Sequence, residues 1–192
     1  MSVGHLKKPF NPSFFLFAIF IITFSIYIFN KFNFKSEPAT KGTICLIIDD
    51  FGFAFNNNVK DFFEINENIT LAIIPGTPYS KMVGEYADSL GYETIIHMPM
   101  ESYDQDSSQY LFELHERLNA SLVEEKINAA FKELPNALGI NNHQGSKASA
   151  DQYVMSNVAR VLKEKKLFFI DSRTTGETIA ETTMEVFGVP TA

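Results

Sequence analysis

The chain has 192 residues, 45% of them hydrophobic, which suits one well-cored domain and excludes wholesale disorder. Its formal net charge is −7, from 16 basic and 23 acidic residues, and it has one cysteine. These figures exclude an intrachain disulfide and disfavour nucleic acid as a partner, because an acidic domain repels phosphate.

The charge is unevenly spread. Residues 1–35 hold Lys7, Lys8, Lys31 and Lys35 and no acid, so every carboxylate side chain lies further on. Between Lys8 and Lys31 no residue is charged, and Phe14 to Phe29 is almost wholly apolar. About 20 apolar residues cross the hydrocarbon layer of a bilayer. A cleaved signal peptide has a shorter apolar stretch and a small-x-small cleavage site. Here Asn30-Lys31-Phe32-Asn33-Phe34-Lys35 follows instead. The reading is a transmembrane signal anchor at 1–30, a polar linker at 31–41, and a folded domain at 42–192. That domain is expected outside the cytoplasm, tethered to the inner (cytoplasmic) membrane.

Beyond the linker the pattern alternates. Thr43–Ile48 reads as a strand buried on both faces, with Cys45 as a small core residue. Ile69–Ile74 is a second strand, stopped by Pro75-Gly76. Ser80–Leu90 reads as a helix closed by Gly91. Thr94–Ile96 is a short strand leading into His97, and the polar stretch Glu101–Asn119 reads as a long loop. Ser121, with Glu124 three residues on, has the form of a capping box opening a helix that runs to Leu134. Ala137–Ile140 is a strand, Ala150–Lys165 a helix, Leu167–Ile170 a strand, and Glu177–Phe187 a last helix before Gly188-Val189-Pro190.

Strands alternating with helices imply parallel strands joined by right-handed crossovers, in either an open doubly wound sheet or a barrel. Both place the active site at the carboxyl ends of the strands. Those ends carry Asp49-Asp50, Pro75, His97, Asn141-Asn142-His143 and Asp171. Four of the five deliver groups that ligate metal or move protons.

Asp is a poor strand residue, and a carboxylate leaving a buried strand needs a partner or a cation. Asp50, His97 and His143 form a mixed carboxylate–imidazole donor set of the kind a divalent cation such as Zn²⁺ accepts, with one position left open. The competing reading of His97, between Ile96 and Met98, is a satisfied core histidine, and the ligand reading is the stronger. Glu101, four residues beyond His97, is a substitute ligand only if Pro99 does not prevent the approach. Asp171 could orient a catalytic group and Arg173 could hold an anion, or the two could simply pin a loop.

Five runs resemble the divergent polysaccharide deacetylases, relatives of the nodulation-type deacetylases of carbohydrate esterase family four. They are Ile47-Ile48-Asp49-Asp50-Phe51-Gly52, Ile73-Ile74-Pro75-Gly76-Thr77-Pro78, Ile96-His97-Met98-Pro99-Met100-Glu101, Gly139-Ile140-Asn141-Asn142-His143-Gln144-Gly145-Ser146 and Phe169-Ile170-Asp171-Ser172-Arg173-Thr174. The resemblance covers Gly42 to Pro190. It implies a distorted (β/α) barrel, incomplete at its C-terminal side, and metal-dependent removal of acetyl groups from a cell-envelope or peptidoglycan-like polysaccharide. Asp49 corresponds to the general base and Asp50 to a metal ligand. His97 matches the first histidine of the next motif. The usual second histidine, four residues on, is replaced by Glu101, and His143 of the Asn-Asn-His motif stands in for it. A non-catalytic envelope protein that binds glycan or a wall partner on a retained fold is the alternative. A phosphoester hydrolase is a third possibility, left open by Lys147 and Arg173.

Overall fold

The computed structural model describes residues 19–25, 42, 44–65, 68–104 and 110–192. The chain divides into two compact units, Met1–Thr43 and Ile44–Ala192. In the first, residues 19–25 are helical. The expected anchor falls mostly outside the described residues, among which no helix is long and apolar enough to cross a membrane.

The second unit alternates strand and helix throughout. Its elements are β1 (Leu46–Phe51), α1 (Asn57–Phe62), β2 (Ile69–Ile73), α2 (Ser80–Ser89), β3 (Glu93–Met100), α3 (Ala120–Glu133), β4 (Gly139–Gln144), α4 (Gln152–Lys165), β5 (Phe168–Ile170) and α5 (Ala180–Phe187). The five strands form one parallel sheet in sequential order, β1-β2-β3-β4-β5. This order decides between the two architectures that the alternation permits. A doubly wound sheet must reverse its strand order, whereas successive right-handed crossovers without reversal leave the helices on one side. Consistent with one helical layer, α3 packs on α4 and α4 on α5. The sheet is therefore of barrel type. Among the described residues β1 and β5 do not pair with each other. Residues 190–192 run parallel beside β5, with Phe169 N–H donating to Pro190 O at 3.0 Å and Asp171 N–H to Ala192 O at 2.9 Å.

The central strands are apolar on both faces. Leu71, Ile73, Ile95, Ile96, Met98 and Ile140 are all buried, as parallel strands between a helical layer and a barrel interior require. Val154, Met155, Val158 and Leu162 of α4 close over them. The first strand departs from this pattern and from expectation. It spans Leu46–Phe51 rather than Thr43–Ile48, and Ile44 and Leu46 are 84% and 54% exposed. Cys45 is exposed as well, not a core residue. The reason is position: among the described residues β1 is an edge strand, paired only with β2.

Other boundaries shift for local reasons. Helix α1 has too short an apolar face to read from sequence, but Asn56 caps it by accepting from Val59 N at 3.1 Å. The cap of α3 is Asn119, accepting from Leu122 N at 2.9 Å, and not Ser121. Glu124 pairs instead with Arg160 at 3.1 Å. Strand β3 runs on through His97 and Pro99 to Met100. Pro99 is tolerated because β2 has already ended, and its carbonyl accepts from Leu114 N at 2.9 Å. The Glu101–Asn119 connection is thus not wholly a polar loop, since buried Leu114 forms a bridge with Met100. Strand β4 likewise includes Asn141, Asn142 and His143 rather than stopping before them.

Candidate metal centre at the strand ends

Two adjacent aspartates in a regular strand would point to opposite faces. Here β1 carries a bulge. Ile48 pairs with Leu71 and Phe51 with Ile73, so β1 fits one extra residue into that interval. Asp50 sits in the bulge with φ 68°, a left-handed conformation that Asp adopts more readily than most residues. Gly52 follows at φ 121°, its carbonyl accepting from Tyr79 N at 2.9 Å. The irregularity lets both aspartates reach the mouth of the sheet.

Register supplies the histidines. His97 of β3 lies opposite Asn141 of β4, and Pro99 lies opposite His143. Asn141 and His143 are two residues apart, so both share the face of β4 that meets His97. Asn142 points the other way, where its amide oxygen accepts from Ser172 N at 2.8 Å.

Three donors then converge. Asp50 Oδ1 is 3.3 Å from His97 Nε2 and 3.0 Å from His143 Nδ1. One ligand atom from each of Asp50, His97 and His143 lies within 4.8 Å of the others. The two rings meet edge to face, with centroids 4.8 Å apart. Donors about 2.0–2.1 Å from a tetrahedral cation lie roughly 3.3 Å from one another, so this spacing fits a divalent ion. The donor set fits too: one carboxylate and two imidazoles, with room for a further ligand on the exposed side of Asp50.

The nitrogens on the far side of each ring are also engaged. His97 Nδ1 lies 2.8 Å from Asn141 Oδ1, and Asn141 Nδ2 donates to Asp49 Oδ1 at 2.9 Å. His143 Nε2 lies 2.9 Å from the Tyr110 hydroxyl. Burial lowers the pKa of His143, and the neighbouring His97 lowers it further, against the opposing pull of Asp50 and Asp49. A neutral imidazole is the form that binds metal.

Four of the six expected site residues, Asp49, Asp50, His97 and His143, are therefore brought together. Asp171 and Arg173 are placed differently. The Asp171 carboxylate accepts from Arg173 N at 2.9 Å and from the Thr178 hydroxyl at 2.8 Å, bracing its own loop. The Arg173 guanidinium turns outward to Glu181 at 3.2 Å. Glu101 lies outside the group of converging donors: Lys147 is 3.1 Å away and also holds Glu116 at 2.8 Å. Burial pushes the Glu101 carboxyl up, but Glu116 N–H and the Lys147 ammonium outweigh it and hold the pKa below the usual value.

Two polar residues went unassigned in the sequence. Asn141 belongs to a quoted motif, but a buried asparagine in mid-strand gives no periodic signal. Tyr110 lies in the stretch Glu101–Asn119 that reads as a polar loop, where nothing in the sequence marks it out. An apolar cleft of about 250 Å³, lined by Asp49, Asp50, Phe53, Ala54, Val59 and Phe62, opens beside the aspartates. A larger hollow of about 320 Å³ lies between α2 and the end of α3 and shares no residue with the donor cluster.

Comparison with known proteins adds three findings. Residues 46–192 match the family described as divergent polysaccharide deacetylase. An uncharacterized protein of Haemophilus influenzae is 34% identical over 163 residues, covering 83% of this chain and 54% of its own length. The uncharacterized protein YibQ of Escherichia coli K12 is 30% identical over 154 residues, covering 80% of this chain and 48% of its own. The chain thus spans about half the length of the curated relatives it matches. Among solved structures, an uncharacterized protein from Agrobacterium tumefaciens C58 shares the fold with a TM-score of 0.72 at 15% identity, over 82% of this chain and 65% of that one.

Proposed function

Because the chain belongs to the divergent polysaccharide deacetylase family, we propose that it is a metal-dependent hydrolase removing acetyl groups from a cell-envelope glycan. The observation that carries this reading is the convergence of Asp50, His97 and His143 on one point, with Asp49 beside them. A divalent cation held there, with Zn²⁺ favoured by the donor set, supplies Lewis acidity that polarises an acyl carbonyl and acidifies water.

The chain's own residues do the rest. Asp49 takes the proton of the attacking water, since its carboxylate is partly exposed at the mouth and held by Asn141. Asp50, His97 and His143 hold the cation. Phe53, half exposed beside the cleft and 6.5 Å from the Tyr110 ring, offers an apolar face to a sugar ring. Asp171 braces the neighbouring loop through Arg173 N–H and the Thr178 hydroxyl. The glycan is of the peptidoglycan type in this proposal, and the domain works outside the cytoplasm, held at the inner membrane by the apolar run Phe14 to Phe29.

One observation favours the alternative of a glycan-binding protein on a retained fold. The position that resembles the family's second histidine is Glu101, and its carboxylate is committed to Lys147. Metal analysis of the purified chain separates the two, followed by acetate release from N-acetylated chitooligosaccharides and peptidoglycan fragments. The hydrolase reading expects one divalent ion per chain and acetate release that a chelator stops. A chain that retains no divalent ion after exposure to Zn²⁺, Mn²⁺ or Co²⁺ overturns it.

A further inference from the structure

The two histidines present opposite nitrogens to Asp50: His97 uses Nε2, whereas His143 uses Nδ1. A neutral imidazole keeps its proton on one nitrogen, so each ring needs something to hold that proton away from the cluster. We infer that Asn141 is the positioning residue that selects the tautomer of His97, leaving Nε2 as the nitrogen that faces Asp50.

The argument runs from the most constrained group outward. An ionised carboxylate only accepts hydrogen bonds, so the Asn141 atom 2.9 Å from Asp49 Oδ1 must be the amide nitrogen. That fixes the amide's orientation and turns Oδ1 toward His97 Nδ1 at 2.8 Å. An amide oxygen only accepts, so His97 Nδ1 carries the proton. Nε2 also faces an acceptor, Asp50 Oδ1, but at 3.3 Å against 2.8 Å for the Nδ1 contact, so in the neutral ring the shorter bond keeps the proton at Nδ1 and leaves Nε2 as the nitrogen open to a cation. Asn141 is 2% exposed and His97 is 4% exposed, so water does not compete for the bond between them. Cross-strand register holds the pair together, since His97 and Asn141 are direct partners between β3 and β4. Asp49 thereby acquires a second task as the anchor of the amide. His143 solves the same problem with a different group, its Nε2 meeting the Tyr110 hydroxyl.

The importance of this for metal binding rests on the hydrolase reading, but the tautomer can be tested without it. The experiment uses the full chain labelled with ¹⁵N. Long-range ¹H–¹⁵N correlation of the His97 ring in the metal-free protein reads the tautomer, and Zn²⁺ titration against a competing chelator reads affinity. Wild type should show His97 protonated at Nδ1. Asn141→Leu, similar in volume but unable to accept, should lose that single tautomer and bind Zn²⁺ about 10–100-fold more weakly. Asn141→Asp keeps an acceptor for Nδ1 and meets Asp49 through one proton shared between the two carboxyl groups, so it should retain the tautomer and bind Zn²⁺ more tightly than Asn141→Leu. A residue that merely fills space would not separate the two variants. If Asn141→Leu does not fold, Asn141→Ser carries the same test, because its hydroxyl is too short to reach His97. Wild-type His97 protonated at Nε2, or an unchanged tautomer in the Leu or Ser variant, overturns the inference. A wild-type chain that shows the expected tautomer and its loss in the variant, yet binds no Zn²⁺, supports the inference and defeats the hydrolase reading instead.

Discussion

Asp49 and Asp50 are neighbours in sequence with different companions, and that difference separates their expected phenotypes. Asp50 Oδ1 faces both imidazoles, so Asp50→Ala removes the single anionic donor and should weaken Zn²⁺ binding by about 100-fold or more. Asp49 touches Asn141 and approaches His97 only at 3.7 Å. Asp49→Asn can still offer its amide oxygen to Asn141, so the metal should stay while acetate release falls about 10²–10⁴-fold. Turnover retained by purified Asp49→Asn would remove Asp49 from the role of base. Tyr110→Phe tests the other histidine: it takes away the hydroxyl that meets His143 Nε2 and should weaken Zn²⁺ binding about 10–100-fold, measured by chelator competition. At this scale the three converging donors were legible as candidates, because carboxylates and imidazoles at strand ends have few other uses. Asn141 and Tyr110 were not, because what they do depends on which atom of a neighbour they meet, and one sequence carries no such pairing.

Elements set that geometry, and the bulge in β1 matters most. The apolar run Thr43–Ile48 gave a plausible strand, but the frame of β1 is set by pairing with β2, which extends it to Phe51 and brings both aspartates inside. Hydrophobicity alone could not reveal this, since the edge position leaves Ile44 and Leu46 exposed. The central strands were easier to read, because burial on both faces writes a continuous apolar run. Gly52 is where the element meets the site. Its φ of 121° suits glycine, and a Cβ there would overlap Thr77 Oγ1 and stand 3.0 Å from Ile74 O. Gly52→Ala should therefore destabilise the domain by about 1–3 kcal/mol, from strain and overpacking together. It should also shift the turn that follows Asp50 and lower Zn²⁺ affinity. Thermal melting and metal titration on one preparation check both, and a variant with wild-type values in each would show that this turn does not hold the bulge.

Across the whole molecule, the barrel-type order was one of two possibilities in the sequence, and only the unbroken β1-to-β5 order chose it. Order also explains why the donors gather as they do. Asp50 comes from the edge strand, while His97 and His143 come from the middle of the sheet, so one cation would tie β1 to β3 and β4 across β2. Such a link binds the folded sheet and not the unfolded chain, in which the three residues are far apart in sequence. Free Zn²⁺ at about 100 times its dissociation constant should then stabilise the domain by roughly 2.7 kcal/mol. In a protein of this size that corresponds to a rise of about 5–10 °C in melting temperature, which a chelator should reverse. Asp50→Ala should melt without any Zn²⁺-dependent shift, while Asp49→Asn should keep most of it. An equal shift in wild type and Asp50→Ala would place the stabilising ion somewhere other than the strand-end cluster, and would leave β1 joined to the centre of the sheet only through β2.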